Sequence, residues 1–242
     1  MNNLQKAGGM AALLHAAAYV VGMVLGFTLI FPLLDAAPEQ YLKFLSENQG
    51  IVYVWNLISY WGSAITLVIM VLALYERLKD NSPALAQTAA AFGLIWAGLI
   101  IASGNLMLHN PGVVADLYGK DPAQAVSAWT VLRSVENGIT SGNELVGSLW
   151  VLLLSVAALR TGRLNRALNY LGVVLGIAGI LTLIPALFDS MIMIFGPGMI
   201  VWSVWVGIVM LHKSPDVALQ QSDTLMPRPE QQPYQTKLGV RS

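Results

Sequence analysis

The sequence predicts an all-α, polytopic membrane protein: a bundle of six transmembrane helices with an outer amphipathic helix. Three observations carry that prediction. The 242 residues are 56% hydrophobic and only 11% charged, where a soluble domain carries about 25% charged residues. Six apolar runs each approach the roughly 20 residues that a helix needs to cross about 30 Å of hydrocarbon. The basic residues are divided unevenly between the segments that join those runs, as orientation in a bilayer demands.

The runs come in order at about 8–34, 51–75, 84–107, 140–159, 167–187 and 190–211. Lipid offers no partner to an exposed backbone group, so each run is expected to be helical. The first is too long for the apolar core of a signal peptide and reads as a retained helix. Lys6, Arg77, Lys79, Arg160, Arg163, Arg166, Lys213, Arg228, Lys237 and Arg241 fall on one side. Only Lys43, Lys120 and Arg133 fall on the other. This bias places both termini and the segments 76–83 and 160–166 in the cytoplasm, with six crossings of the membrane.

The segments on the opposite side are 35–50, 108–139 and a tight link around Phe188-Asp189. Residues 38–48 suit a short helix with Tyr41, Leu42 and Leu45 on one side. Residues 121–138 suit a longer one, capped by Asp121 with Pro122 at its first position. Val126, Trp129, Val131 and Leu132 form its expected apolar side, and Arg133 and Glu136 pair three apart on the polar side. Such a helix would lie on the outer surface or dip in as a partial lid, with Gly138 and Gly142 turning the chain into the fourth run. Residues 1–213 form one transmembrane domain in this reading. The proline- and glutamine-bearing tail 214–242 is expected to be disordered and cytoplasmic.

Composition excludes several function classes. A formal net charge of +0 gives no basic field for nucleic acid. Without cysteine there is no disulfide, thiolate metal site or cysteine nucleophile. His15, His109 and His212 lie on different runs and at different depths, so neither a metal site nor a haem is expected, and no cofactor is implied. His15 reads as a buried bond between helices. No zinc-protease motif, phosphate loop or serine–histidine arrangement occurs.

Small residues four apart, Gly22/Gly26 and Gly172/Gly176, allow close helix approach. They suit packing inside the chain, or a homodimer seam. Asn56, Ser59, Tyr60, Ser63 and Thr66 recur at three- and four-residue steps and share one face of the second run. His15, Tyr19, Gly22 and Gly26 share a face of the first. Pro185, Pro197 and the Gly196-Pro197-Gly198 triplet mark breaks near the outer ends of the last two runs, read as serving a tight turn.

Depth assembles the candidate site. Asn56, Asn105, His109, Asn143, Glu144 and Asp189 all fall in one outer layer, and polar groups there are costly unless partnered. Glu144 is the deepest carboxylate of the set. Helix-end roles also suit Asn143, Asp189 and Glu144. The layer fits non-enzymatic binding of a small ligand, a lipid or a partner. A small ion-coupled transporter using Glu144 and Asp189, and an intramembrane enzyme using His109 and Glu144, are the alternatives.

The runs KAGGMAALLHAAAYVVG, GNELVGSLWVLLLSVAAL and LNRALNYLGVVLGIAGILTLIPAL resemble a bacterial family of integral membrane proteins known as a domain of unknown function. The likeness covers about residues 5–211. It implies a six-span protein of the bacterial inner membrane and no reaction. The Asn143-Glu144-Leu145 start of the fourth run is its most family-like part.

Overall fold

Hydrophobic runs that must satisfy their own backbone groups become helices, and among the described residues there is no strand. The computed structural model describes residues 3–34, 37–140 and 142–212. The expected disordered tail at 214–242 lies outside them. The first run is α1 (Asn3–Leu25), a π-helical segment Gly26–Ile30 and α2 (Phe31–Leu34). The short helix α3 (Pro38–Glu47) follows, and the second run is α4 (Gln49–Asn56), a second π-helical segment Leu57–Gly62 and α5 (Ser63–Leu78). Then come α6 (Pro83–Tyr118), α7 (Pro122–Thr140), α8 (Gly142–Thr161), α9 (Arg166–Leu181) and α10 (Phe188–Leu211).

Five helical stretches are long and apolar enough to cross a membrane: Asn3–Ile30, Gln49–Leu78, Pro83–Tyr118, Pro122–Thr161 and Pro185–Leu211. The sixth apolar helix, α9, has 16 residues and so is about 24 Å long. It was expected to run to residue 187. It stops at Leu181 because Pro185 has no N–H to give the helix, and Thr182 caps the end by donating its hydroxyl to the Gly179 carbonyl at 2.6 Å. The turn therefore falls at 182–187, not at Phe188-Asp189, which open α10.

The basic turns gather at one end. Gln5 Nε2 donates to the Met210 carbonyl at 3.1 Å, joining the start of α1 to the end of α10. Arg77 Nε donates to the Arg163 carbonyl at 3.1 Å, and Arg163 Nη2 to Asn81 Oδ1 at 3.2 Å. Gly162, at φ +65°, supplies the left-handed residue that ends α8. Asn165 then caps α9 by accepting from the Ala167 and Leu168 amides.

Two cores fill the molecule. The larger runs along the bundle through Leu67, Leu74, Trp150, Leu154, Trp202 and Val206, all at most 2% exposed. Its seams are small-residue contacts, which replace the hydrophobic drive that lipid does not supply. An added Cβ at Gly176 would stand 3.0 Å from the Ser148 carbonyl oxygen, and one at Gly22 would stand 2.7 Å from Ser59 Oγ. Gly22, Gly172 and Gly176 thus pack within the chain.

The smaller core sits at the end away from the basic turns. Ile30, Tyr41, Leu42, Leu45, Trp55, Val114 and Trp129 are buried in it. Tyr41, Leu42 and Leu45 share the buried side of α3, as their spacing predicts. This core explains why α6 does not end near residue 107: residues 108–118 remain helical and place Val114 in it, fully buried. Asp121 caps α7 by accepting from the Gln124 amide at 3.0 Å. α7 and α8 follow each other closely and run back together along α6. α7 therefore stands beside the end of α6. Its buried face is Ala125, Trp129 and Glu136, with Leu132 half-buried between them. Val131 is 65% exposed, since two residues from Trp129 is the opposite side of a 3.6-residue helix. Glu136 is buried and pairs with Arg133 at 3.3 Å.

Candidate functional site

The polar stripe of the second run is where regular helix gives way. The π-helical segment Leu57–Gly62 widens the turn, and a π-bulge of this kind leaves backbone carbonyls to be satisfied. Nearby hydroxyls do this. Ser63 Oγ donates to the carbonyls of Ser59 and Tyr60 at 2.5 and 3.0 Å. Thr66 Oγ1 donates to those of Gly62 and Ser63 at 2.8 and 2.9 Å. His15, buried at 2% exposure, lies 2.9 Å from the Ser63 carbonyl through Nδ1. A carbonyl only accepts, so Nδ1 carries the proton. His15 is the bond between α1 and α5 that its position predicts.

The other π-helical segment is served in the same way. Thr28 Oγ1 donates to the Val24 carbonyl at 2.7 Å. Trp55 Nε1 donates across to the Gly22 carbonyl at 3.0 Å, the group that a regular helix would pair with Gly26.

Beside the widened turn of the second run lies a cavity of about 290 Å³. α1 contributes Tyr19, Gly22 and Met23, and the second run contributes Trp55, Ser59 and Tyr60. α6 supplies Trp96 and Ile100, α8 supplies Asn143 and Glu144, and α10 supplies Ile192, Phe195 and Gly196. Pro197 follows at once inside α10, so the helix lacks a backbone bond beside the cavity wall. Trp96 lies close against α8 because residue 147 is glycine: a Cβ there would be 2.8 Å from the indole. Trp55 and Tyr60 meet at 5.6 Å with planes 85° apart, forming two walls at a right angle.

The polar atoms of the cavity are few. Glu144 stands in the first turn of α8, where the helix dipole favours a carboxylate. Its Oε2 is buried and has no hydrogen-bond partner among the described residues. Asn143 Nδ2 donates to Ser103 Oγ at 3.4 Å, while Asn143 Oδ1 and Ser59 Oγ are buried without partners there. Among the described residues, no lysine, arginine or histidine lines the cavity, and no cluster of acidic and histidine side chains suits a metal ion.

The six residues expected in one outer layer are distributed as follows. Glu144 and Asn143 line the cavity. Asn56 is fully buried, its two amide atoms unpartnered among the described residues. It packs toward α6, 3.4 Å from where a Cβ on Gly104 would stand, and is not part of the cavity lining. Asn105 is half-buried outside the lining. His109 and Asp189 are exposed and also outside it. The aromatic walls Trp55, Trp96 and Phe195 were absent from the sequence-based site. Tyr19 and Gly22 had a signal, their shared face on α1. The Gly196-Pro197-Gly198 triplet had one too, but it was assigned to a turn that lies elsewhere.

An all-helical protein with, among the described residues, five membrane-length helices around a cavity holding one half-buried carboxylate is a multi-pass membrane protein. Over residues 8–213 it matches the family described as a domain of unknown function (DUF4386), and it belongs to that family. No curated protein and no solved structure matches it.

Proposed function

We propose that this protein binds a small ligand or lipid, without catalysis, in the bacterial cytoplasmic membrane, and that the ligand occupies the cavity beside Glu144. The termini and basic turns face the cytoplasm in this reading, by the positive-inside bias. The cavity then belongs to the outer leaflet. One observation carries the proposal: Glu144 Oε2 and Asn143 Oδ1 are buried at the cavity without a partner among the described residues. A carboxylate in the hydrocarbon layer costs several kcal/mol unless something compensates it, and a bound ligand supplies that compensation.

The core between the cavity and the basic end favours holding over passage. Leu67, Met70, Val71 and Leu74 of α5 belong to one buried cluster with Leu154 and Val206, all at most 2% exposed. The test is mass spectrometry of small molecules and lipids that co-purify with the wild type and with Glu144→Gln. The wild type should retain at least one species that the variant loses. An identical set from both proteins would end the proposal.

A further inference from the structure

We infer that the ligand is an organic cation, a substituted ammonium group whose charge meets Glu144 and whose carbon substituents meet the aromatic walls. This deepens the reading of the cavity as a binding site and rests on it.

The argument is one of exclusion by chemistry. Tyr19, Trp55, Tyr60, Trp96 and Phe195 bring five aromatic side chains to one cavity of about 290 Å³. The polar groups with no partner are Glu144 Oε2, Asn143 Oδ1 and Ser59 Oγ. The first two only accept hydrogen bonds. An anionic ligand would meet the carboxylate with no lysine, arginine or histidine in the lining to offset it. A wholly apolar ligand would leave both acceptors unpaired, at the cost of buried unsatisfied groups. A bare divalent cation takes six or more oxygen ligands, or a near-ideal octahedron, and this lining offers one carboxylate. An alkylated or aryl-bearing ammonium answers every wall. Its charge pairs with Glu144, any N–H donates to Asn143, and the faces of tryptophan and tyrosine attract the cation through their quadrupoles. The right-angle packing of Trp55 on Tyr60 gives two such surfaces around one point.

Two sources carry this chemistry, the headgroup of an amine-bearing lipid and a free organic cation. The experiment uses purified full-length protein in maltoside micelles, which contain no ammonium group. Benzyltrimethylammonium and its uncharged isostere neopentylbenzene are titrated against tryptophan fluorescence, since Trp55 and Trp96 line the cavity. The cation should bind the wild type, bind Glu144→Gln at least tenfold more weakly, and bind Glu76→Gln unchanged, because Glu76 pairs with Lys79 at the basic end. Tyr19→Leu should weaken the cation several-fold and leave the isostere alone, which keeps the test alive if Glu144→Gln does not fold. Displacement then assigns the source: a short-chain phosphatidylcholine that competes better than choline marks a lipid headgroup, and the reverse marks a free cation.

If the isostere binds as tightly as the cation and both ignore Glu144→Gln, the cation is overturned while the cavity remains a site for apolar ligands. Failure of both probes, with no co-purifying ligand lost in Glu144→Gln, overturns the binding site itself.

Discussion

Replacing Gly176 by alanine tests how closely α9 lies on α8. The new Cβ would stand 2.6 Å from the Cβ of Leu152, 3.0 Å from the Ser148 carbonyl oxygen and 3.1 Å from the Cα of Leu152. Two of these neighbours are backbone atoms, so no side-chain rotation relieves the contact. Ordinary carbon contacts sit at about 3.5–4.0 Å, so the helices must part by about 0.5–1 Å. A gap of that width forfeits about a quarter to a half of each dispersion well along the seam. Overpacking of this kind costs about 1–3 kcal/mol, and the better helix propensity of alanine returns up to about 1 kcal/mol. The expected net loss is up to about 2 kcal/mol, and the expected gap to a clash-free glycine-to-alanine change is about 1–3 kcal/mol. Gly98 is the matched control, since it is an exposed helical glycine with no atom within 4 Å of its added Cβ. There alanine should be neutral or stabilising by up to about 1 kcal/mol. Detergent unfolding followed by circular dichroism reads both. A Gly176→Ala protein as stable as Gly98→Ala would refute the close approach of α9 to α8.

Glu144→Gln should stabilise the ligand-free protein by about 1–3 kcal/mol, because it removes the charge of a half-buried carboxylate whose Oε2 is buried without a partner among the described residues; a thermal melt in maltoside reads the gain, and a loss would mean that another side chain of the protein holds the charge. Tyr41, stacked on Trp129 at 4.8 Å, has its phenol pushed up to about 12 by burial first and by Glu136 second, with Arg133 acting the other way. The folded state therefore holds this proton more tightly than the unfolded chain, whose phenol ionises near 10. That contribution is complete below about pH 10 and is lost as pH rises toward 12. The difference in phenolate absorbance between wild type and Tyr41→Phe should appear near pH 12, and its appearance near pH 10 would place Tyr41 outside the smaller core.

What the sequence made legible follows from what lipid enforces. Long apolar runs can only be helices, and the cap at Asp121, the buried side of α3 and the bond from His15 all rest on local chemistry that spacing displays. Legibility failed where tertiary contact decides. Val131 looked like a core residue by composition, but the small core reads the period and takes Glu136 instead. The two π-helical segments leave no mark in a hydropathy profile, although Thr28, Ser63 and Thr66 are the hydroxyls that mend them. For the candidate site, depth along each run grouped six residues at one level, of which Glu144 and Asn143 line the cavity. Depth says nothing of azimuth, and azimuth separates exposed His109 and Asp189 from a cavity walled by Trp55 and Trp96.

The length of α6 fixes a dimension of the whole protein. Its 36 residues make a rod of about 54 Å, against about 30 Å of hydrocarbon. With α7 strapped along it by Trp129 and Ala125, the rod does not fold down at the surface. The turn at Gly119-Lys120-Asp121 is thus carried at the tip of that rod. A tag built into that turn measures how much of the excess length stands in water: labelling by a membrane-impermeant reagent is expected there if the apolar part of α6 fills the hydrocarbon.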